Sequence, residues 1–232
     1  MSHGKQFTLQ THGTGANGWK IDFVLAELGL EYESKLLDFN QQDHKAPEYT
    51  NYNPNGRIPA LIDHSNNDFV VWESNAIMLY LVEKYDIEHK ISVSDSNDSN
   101  EKFEQLQWLF FQASGQGPYF GQAVWFMGSH SEKVLSAIER YQKETIRVLS
   151  VLDGVFSKRE WLVGGKCTIA DLSFIPWSHW ALRSILKDYP GLDVAKDYPA
   201  FYRWHFAMLA REPVAGIVAA RETTLITSGI WR

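Results

Sequence analysis

The sequence predicts a two-domain protein, with an α/β domain first and an all-helical domain second. Three observations predict this organisation. Strand-like segments occur only in the first third of the 232 residues, a polar serine-rich stretch follows them, and every later apolar pattern has helical spacing. The serine-rich stretch, residues 86–100, has the composition of a linker. We therefore expect domains at residues 1–88 and 101–232, joined by a linker at residues 89–100.

The N-terminal elements are predicted from apolar patterns separated by turn-forming residues. Strands are predicted at residues 5–10, 32–39, 59–63 and 69–72, and helices at residues 17–28 and 73–85. Gly29 is expected to stop the first helix. The first strand, helix and second strand form a unit of the parallel kind, and the last two strands form a hairpin around the turn at residues 65–68.

The C-terminal domain is predicted from helical apolar spacing. Helices are expected at residues 103–126, 134–155, 169–186 and 198–209, with breaks at residues 115–118, 164–165 and 189–191. Thr168 and Asp171 fit a capping box at the start of the third of these helices. Cys167, just before that box, is expected to be a buried and inert thiol.

Composition excludes several classes of function. The net charge is −6 and no basic block occurs, which argues against nucleic-acid binding. Cys167 is the only cysteine, so one chain builds neither an internal disulfide nor a thiolate zinc site, and no metal is expected. No run approaches the roughly 20 apolar residues that span a bilayer. We expect a cytoplasmic protein that does not bind membranes.

Two dipeptides indicate a ligand site when they are considered together. An X-Pro bond is cis only about 5–6% of the time, so Ile58-Pro59 alone is interpreted as a trans proline entering an edge strand. Ser74 alone is interpreted as a helix cap. Together they could hold one peptide-like ligand. The backbone of Ile58, bent by a cis Pro59, would pair with it as an added strand, while Glu73 takes an ammonium and Ser74 a carboxylate. A γ-glutamyl group carries both charges.

These motifs resemble the cytosolic glutathione transferases, and the resemblance covers essentially the whole chain. More narrowly, five segments are similar to the fungal class related to the nitrogen-catabolite regulator that forms a prion. The segments are Gly15–Lys20, Leu37–Phe39, His44–Glu48, Asn53–Ile62 and Trp72–Ser74. The resemblance implies a thioredoxin-like first domain, glutathione as co-substrate and a homodimer. Because the sequence lacks the Asn/Gln-rich extension of the regulator, we expect an enzyme.

Catalysis by this family requires a glutathione thiolate, whereas a free thiol has a pKa of about 8.5. No tyrosine or cysteine precedes Gly18, and the remaining candidates near the first helix are Thr11, His12, Thr14 and Asn17. The resemblance places the side-chain amide of Asn17 against the sulfur, as a donor that favours the anion. The alternative is that Asn17 only caps the helix, and the two roles do not exclude each other.

The resemblance also implies residues at the two remaining parts of the site. His44 and Lys45, and less directly Arg57, would meet the glycine carboxylate of glutathione, although their polar stretch alone reads as a solvated turn. Most aromatic residues of the second domain are expected in the core. A hydrophobic-substrate pocket is predicted at three of them, Tyr119, Trp125 and Phe126, which flank helix breaks.

Three functions follow from this site. The first is conjugation of glutathione to hydrophobic electrophiles or reduction of organic peroxides with it. The second is glutathione-dependent disulfide reduction, in which the bound thiolate attacks a disulfide. The third is a non-catalytic protein that binds hydrophobic ligands or acts as a regulator.

Overall fold

A computed structural model describes residues 4–94 and 99–231. Its contacts divide the chain into two compact units. One contains the residues up to Ser92 together with residues 212–230, and the other contains residues 93–211 with Trp231. The sequence-based division placed residue 101 onward in the second domain, whereas the C-terminal segment packs with the first unit.

The element bounds follow the sequence-based assignment for most of the chain. The strands are β1 (Phe7–Thr11), β2 (Tyr32–Leu36), β3 (Ala60–Asp63) and β4 (Phe69–Trp72). The helices are α1 (Ala16–Glu27), α2 (Pro47–Thr50), α3 (Ser74–Tyr85), α4 (Ser99–Phe111), α5 (Gly117–Val124), α6 (Leu135–Phe156), α7 (Ile169–Trp180), α8 (Val194–Asp197), α9 (Pro199–Leu209) and α10 (Glu212–Thr227). Short α2 and α8 were not predicted, and neither was the long helix α10.

The sheet of the first unit has the thioredoxin-like arrangement, which confirms the predicted fold class. Its strand order is β2-β1-β3-β4. β1 pairs in parallel with β2, because α1 carries the chain across one face, and β3 pairs antiparallel with both β1 and β4. All five residues of β1 are buried, as expected for a central strand covered on both faces.

Helix α10 packs on α1 in the first unit. Sequence patterning missed it because Pro213, Gly216 and a run of threonines are weak helix formers, and its apolar residues do not form a clear stripe. Its three buried residues are Val214, Val218 and Leu225. Spacings of four and seven residues place them on one face, so tertiary packing stabilises a helix whose local propensity is low.

The predicted linker begins as packed structure. The carboxylate of Asp86 accepts hydrogen bonds from the backbone N–H groups of Lys90 and Ile91, at 2.7 and 2.9 Å, and from the Ser92 hydroxyl at 2.8 Å. The side chain of Ile91 is fully buried. Composition predicted a solvated linker. It could not show that the single carboxylate of Asp86 organises this turn through hydrogen bonds. Residues 95–98 of the predicted linker lie outside the described residues.

The second unit is helical, and at one of the expected breaks, residues 115–118, the chain continues from a π-helical turn into a helix. One such turn spans Gln112–Gln116 and leads directly into α5. A Cβ at Gly115 would lie 2.8 Å from the Phe111 ring, and Pro118 occupies the first turn of α5, where its missing N–H costs nothing. The glycine and the proline therefore fit a helical turn here. Two further π-helical turns span Trp125–Ser129 and Ala181–Ile185.

The capping box at the start of α7 is confirmed. The Thr168 hydroxyl accepts from the N–H of Ala170 at 3.2 Å, and the Asp171 carboxylate accepts from the N–H of Thr168 at 3.1 Å. Burial raises the pKa of Asp171 to about 6, and the donated backbone hydrogen bonds act in the opposite direction. Cys167 is buried beside this cap, as expected. Among the described residues, no helix is both long and apolar enough to cross a bilayer.

Candidate functional site

Asn17 lies in the first turn of α1 and its side chain is partly buried. The N-cap residue is Gly15, which has extended backbone angles, so the interpretation of Asn17 as the cap is wrong. A Cβ on Gly18 would lie 2.1 Å from the Thr11 hydroxyl oxygen, which shows how closely α1 starts against the end of β1. Asn17 is thus held among the first free N–H groups of the helix, where negative charge is stabilised.

Arg221 of α10 fixes the loop that precedes Asn17. Its guanidinium donates to the carbonyl oxygens of His12 and Gly13, at 3.0 and 2.9 Å, and forms an ion pair with Asp22 of α1. Both charged side chains are nearly buried, at 11% and 3% exposure. Sequence analysis missed Arg221 for two reasons. Its helix was not predicted, and no local pattern links it to a loop some 200 positions earlier.

The Ile58-Pro59 peptide bond is cis, which confirms the less common of the two alternatives. The preceding turn is held by two side chains that donate to the carbonyl oxygen of Arg57: the buried amide of Asn53 at 2.6 Å and the Tyr49 hydroxyl at 2.5 Å. A Cβ on Gly15 would lie 2.5 Å from the end of the Ile58 side chain. The cis-proline turn therefore packs directly against the N-terminus of α1.

Glu73 and Ser74 lie at the same end of the sheet as Pro59. In the antiparallel pairing of β3 with β4, Ala60 lies opposite Trp72, so the register places Pro59 opposite Glu73. Glu73, and not Ser74, is the N-cap residue of α3, which corrects the alternative role of Ser74. Glu73 is exposed and has a φ of +69°, a strained value for a residue other than glycine. Such strain is concentrated at functional sites.

The residues predicted to bind the glycine end lie between β2 and β3. His44 and Lys45 form a 3₁₀ turn at Asp43–Lys45. The Lys45 ammonium donates to the carbonyl oxygen of Gly56 at 2.8 Å, so it already supports the cis-proline turn. The Arg57 side chain is exposed.

His44 is the residue of this group with a buried ring nitrogen, Nδ1, that lacks a hydrogen-bond partner among the described residues. Its ring packs on Phe39 at 4.4 Å between centroids, and Phe39 in turn stacks on His12 at 4.2 Å. Burial and the nearby charges of Lys45 and Arg57 lower the pKa of His44, so its imidazole is neutral at pH 7.

The predicted hydrophobic-substrate residues belong to the second unit. Tyr119 and Phe126 both lie against the ring of Tyr141, with centroids at 6.2 and 5.7 Å. Trp125 is half exposed. Phe120, next to Tyr119 in the chain, is fully buried, as is expected for most aromatic residues of this domain. Two of the three predicted pocket residues therefore share one aromatic neighbour, and Trp125 presents its ring to solvent.

The three predicted site segments of the first unit therefore lie close together. The start of α1, the cis-proline turn and the start of α3 meet at one end of the sheet. The family model for the N-terminal domain of glutathione S-transferases matches residues 5–83, and the model for their C-terminal domain matches residues 118–212. The chain belongs to the glutathione S-transferase family. The predicted resemblance is confirmed.

Individual relatives of this glutathione S-transferase are fungal. Glutathione S-transferase 1 of Schizosaccharomyces pombe is 48% identical over 213 residues, which cover 89% of this chain and 92% of the relative. The crystal structure of the glutathione transferase URE2P6 from Phanerochaete chrysosporium, in complex with oxidized glutathione, has a TM-score of 0.91 and 57% identity, covering 96% of this chain and 99% of that one. The transcriptional regulator URE2 of Saccharomyces cerevisiae is 37% identical over 240 residues, covering 90% of this chain and 66% of the regulator.

Proposed function

We propose that this transferase conjugates glutathione to hydrophobic electrophiles, with Asn17 stabilising the glutathione thiolate. The observation that carries the proposal is the convergence of three segments: the first turn of α1 with Asn17, the cis Ile58-Pro59 turn packed against Gly15, and the Glu73–Ser74 corner opposite Pro59. A tripeptide with one thiol fits such an arrangement, because its backbone, its charged ends and its sulfur each meet a different segment.

The chemistry asked of Asn17 is modest. Lowering a thiol pKa from about 8.5 by roughly two units corresponds to about 2.7 kcal/mol of preference for the anion. An amide N–H donor at a helix N-terminus can supply this, since a hydrogen bond to a charged group contributes about 1.5–3 kcal/mol and the helix dipole adds to it. Asn17 does not take the thiol proton, because a neutral amide is not a base at this pH. Its role is electrostatic stabilisation.

The binding roles follow the charges of the tripeptide. The backbone of Ile58 pairs with the ligand main chain beside the cis Pro59, Glu73 accepts from the γ-glutamyl ammonium, and Ser74 donates to its carboxylate. At the glycine end, the neutral imidazole of His44 has one ring N–H that could donate to the carboxylate. Lys45 and Arg57 add positive charge there.

The relatives support glutathione as the thiol substrate, because one of them was crystallised with oxidized glutathione at 57% identity. For the electrophile, Tyr119, Trp125 and Phe126 of the second unit stay the predicted hydrophobic-substrate residues. Peroxide reduction and disulfide reduction would use the same thiolate, so they are tested beside conjugation. Homodimer formation and a cytoplasmic location stay predictions.

Turnover of three substrates tests the proposal. Wild type and Asn17→Ala are assayed with a chlorinated nitrobenzene, cumene hydroperoxide and hydroxyethyl disulfide, and Asn51→Ala, at the exposed C-cap position of α2, serves as the matched control. We expect the chlorinated nitrobenzene to be the best substrate and Asn17→Ala to lose roughly tenfold to a hundredfold in kcat/KM. Full activity in Asn17→Ala would remove Asn17 from the mechanism. Wild-type protein inactive with all three would favour a non-catalytic binding protein.

A further inference from the structure

Lys20 is a lysine inside the first unit's core. It lies on α1 three residues after Asn17, and so on the same side of the helix, and its residue exposure is only 2%. Lysine is almost never fully buried without a partner, because removing an ammonium from water is costly. The sequence motif Gly15–Lys20 includes this residue, but it was not assigned a role.

The Lys20 ammonium points at the start of α3. It donates to the hydroxyl oxygen of Ser74 at 3.1 Å and to the side-chain oxygen of Asn75 at 3.2 Å. Both acceptors are neutral. The carboxylate of Glu73 favours the charged form, but burial dominates and lowers the pKa of Lys20 to about 7.

This placement is unfavourable for stability alone. The N-terminus of α3 carries the positive end of the helix dipole, so the helix end that the Lys20 ammonium contacts disfavours its positive charge. A buried apolar side chain such as methionine would fill the same space without that cost. The arrangement is favourable when an anion occupies the corner, because the ammonium and the helix N-terminus then act together.

The bond from Lys20 also sets the direction of the Ser74 hydroxyl. The Ser74 oxygen accepts from Lys20, so its own proton is directed to another acceptor. A carboxylate on the far side of Ser74 would receive that proton in a charge-assisted hydrogen bond. Lys20 can therefore act on a ligand through Ser74 without touching it.

We propose that Lys20 is a positioning residue for the γ-glutamyl end of glutathione: it orients Ser74 as a donor and supplies the positive charge that selects the glutamyl α-carboxylate. This inference rests on the proposed glutathione site and adds a residue and a selectivity to it. Ligands that lack this carboxylate should gain no affinity from Lys20.

A comparison of two ligands tests the inference. Calorimetry measures the affinities of glutathione and of 4-aminobutanoyl-cysteinylglycine, which lacks only the α-carboxylate, for wild type, Lys20→Met and Lys35→Met. Lys35 is an exposed lysine on β2 and is the matched control. We expect Lys20→Met to bind glutathione roughly tenfold more weakly and the analogue within about twofold of wild type. Lys35→Met should behave as wild type with both ligands.

Other outcomes separate the inference from the proposed function. Unchanged glutathione affinity in Lys20→Met would overturn the role of Lys20, and equal losses for both ligands would show that Lys20 is only structural. If wild type does not bind glutathione, the proposed function itself fails. If circular dichroism shows that Lys20→Met does not fold, the affinities of Lys20→Gln for the same two ligands are compared with those of wild type. The same losses of affinity then support or overturn the inference.

Discussion

The two sides of the candidate site are built differently. The helical side, formed by α1, α3 and α10, holds buried charges: Lys20 bonded to Ser74, and Arg221 paired with Asp22. The loop side, residues 39–58, presents the exposed side chains of Lys45 and Arg57 beside the partly buried ring of His44. Buried groups are desolvated before the ligand arrives, so they give strong and selective contacts, whereas exposed charges give weak and salt-dependent ones. The helical side should therefore determine affinity and stability.

The largest effect is expected when the buried ion pair of the helical side is broken. Arg221→Met leaves the Asp22 carboxylate buried without its cation and releases the carbonyl oxygens of His12 and Gly13. We expect the free energy of unfolding to fall by about 3–5 kcal/mol, as is usual when one partner of a buried pair is removed. Urea denaturation measures it. Arg203→Met, at an exposed position on α9, is the control, and an equal loss in both variants would contradict the comparison.

Ser74→Ala should have the next largest effect, on ligand affinity. It removes the proposed donor to the glutamyl carboxylate and one acceptor of the Lys20 ammonium. A hydrogen bond to a charged group contributes about 1.5–3 kcal/mol, so glutathione should bind roughly 10-fold to 100-fold more weakly. Isothermal calorimetry gives the affinity, and Ser65→Ala on the β3–β4 turn is the matched control. Binding within twofold of wild type would exclude Ser74 from the site.

The pH dependence of the free energy of unfolding sharpens the comparison, because the buried Lys20 lies on the helical side. Burial lowers the pKa of Lys20 to about 7, against about 10.4 in an unfolded chain. Between these values the unfolded state binds a proton that the folded state does not, so the free energy of unfolding contributed by Lys20 rises with pH. Wild type should gain stability relative to Lys20→Met from about pH 7 to about pH 9, by at most about 1.4 kcal/mol per pH unit. Parallel stability curves for the two proteins, from denaturation at each pH, would contradict the burial of this ammonium.

The smallest effects are expected on the loop side. Lys45→Met and Arg57→Met each remove one exposed or partly exposed charge near the proposed glycine end. Exposed ion pairs contribute at most about 1 kcal/mol, so each variant should weaken glutathione binding less than about fivefold. The loss should shrink further in high salt because these charges are screened. A larger loss than that of Ser74→Ala, measured by the same calorimetry, would reverse the proposed order of the two sides.

The elements with local signals could be predicted from the sequence. The strands, the Gly29 stop and the capping box at Thr168 depend on neighbouring residues, and so does the Ile58-Pro59 step once it is considered with Glu73. The sequence left both the cis and the trans form of the Ile58-Pro59 bond open. The structure decides it, because Asn53 and Tyr49 hold the preceding carbonyl group in place.

The residues that were missed act through distant partners. Arg221 and Asp22 are 199 positions apart, and α10 itself has no clear apolar stripe, so no window of sequence joins them. Lys20 had a weak signal, since a lysine stands among Trp19, Ile21 and Phe23 on a helix that is otherwise largely buried. That pattern indicates a buried ammonium but not its acceptors. Only the packing of α3 on α1 shows that these are Ser74 and Asn75.

The central claim is that the amide of Asn17 keeps bound glutathione ionised, and titration of the bound thiol by thiolate absorbance tests it most directly. Wild type, Asn17→Ala and Asn17→Asp are compared; the aspartate has the same shape, offers no N–H donor and is a favourable residue at a helix N-terminus. We expect a thiol pKa roughly two units below the free value of about 8.5 in wild type, a pKa near the free value in Asn17→Ala, and a higher one in Asn17→Asp. A wild-type complex in which the thiol ionises as it does in buffer, or an Asn17→Asp complex that keeps the lowered pKa, would contradict the account.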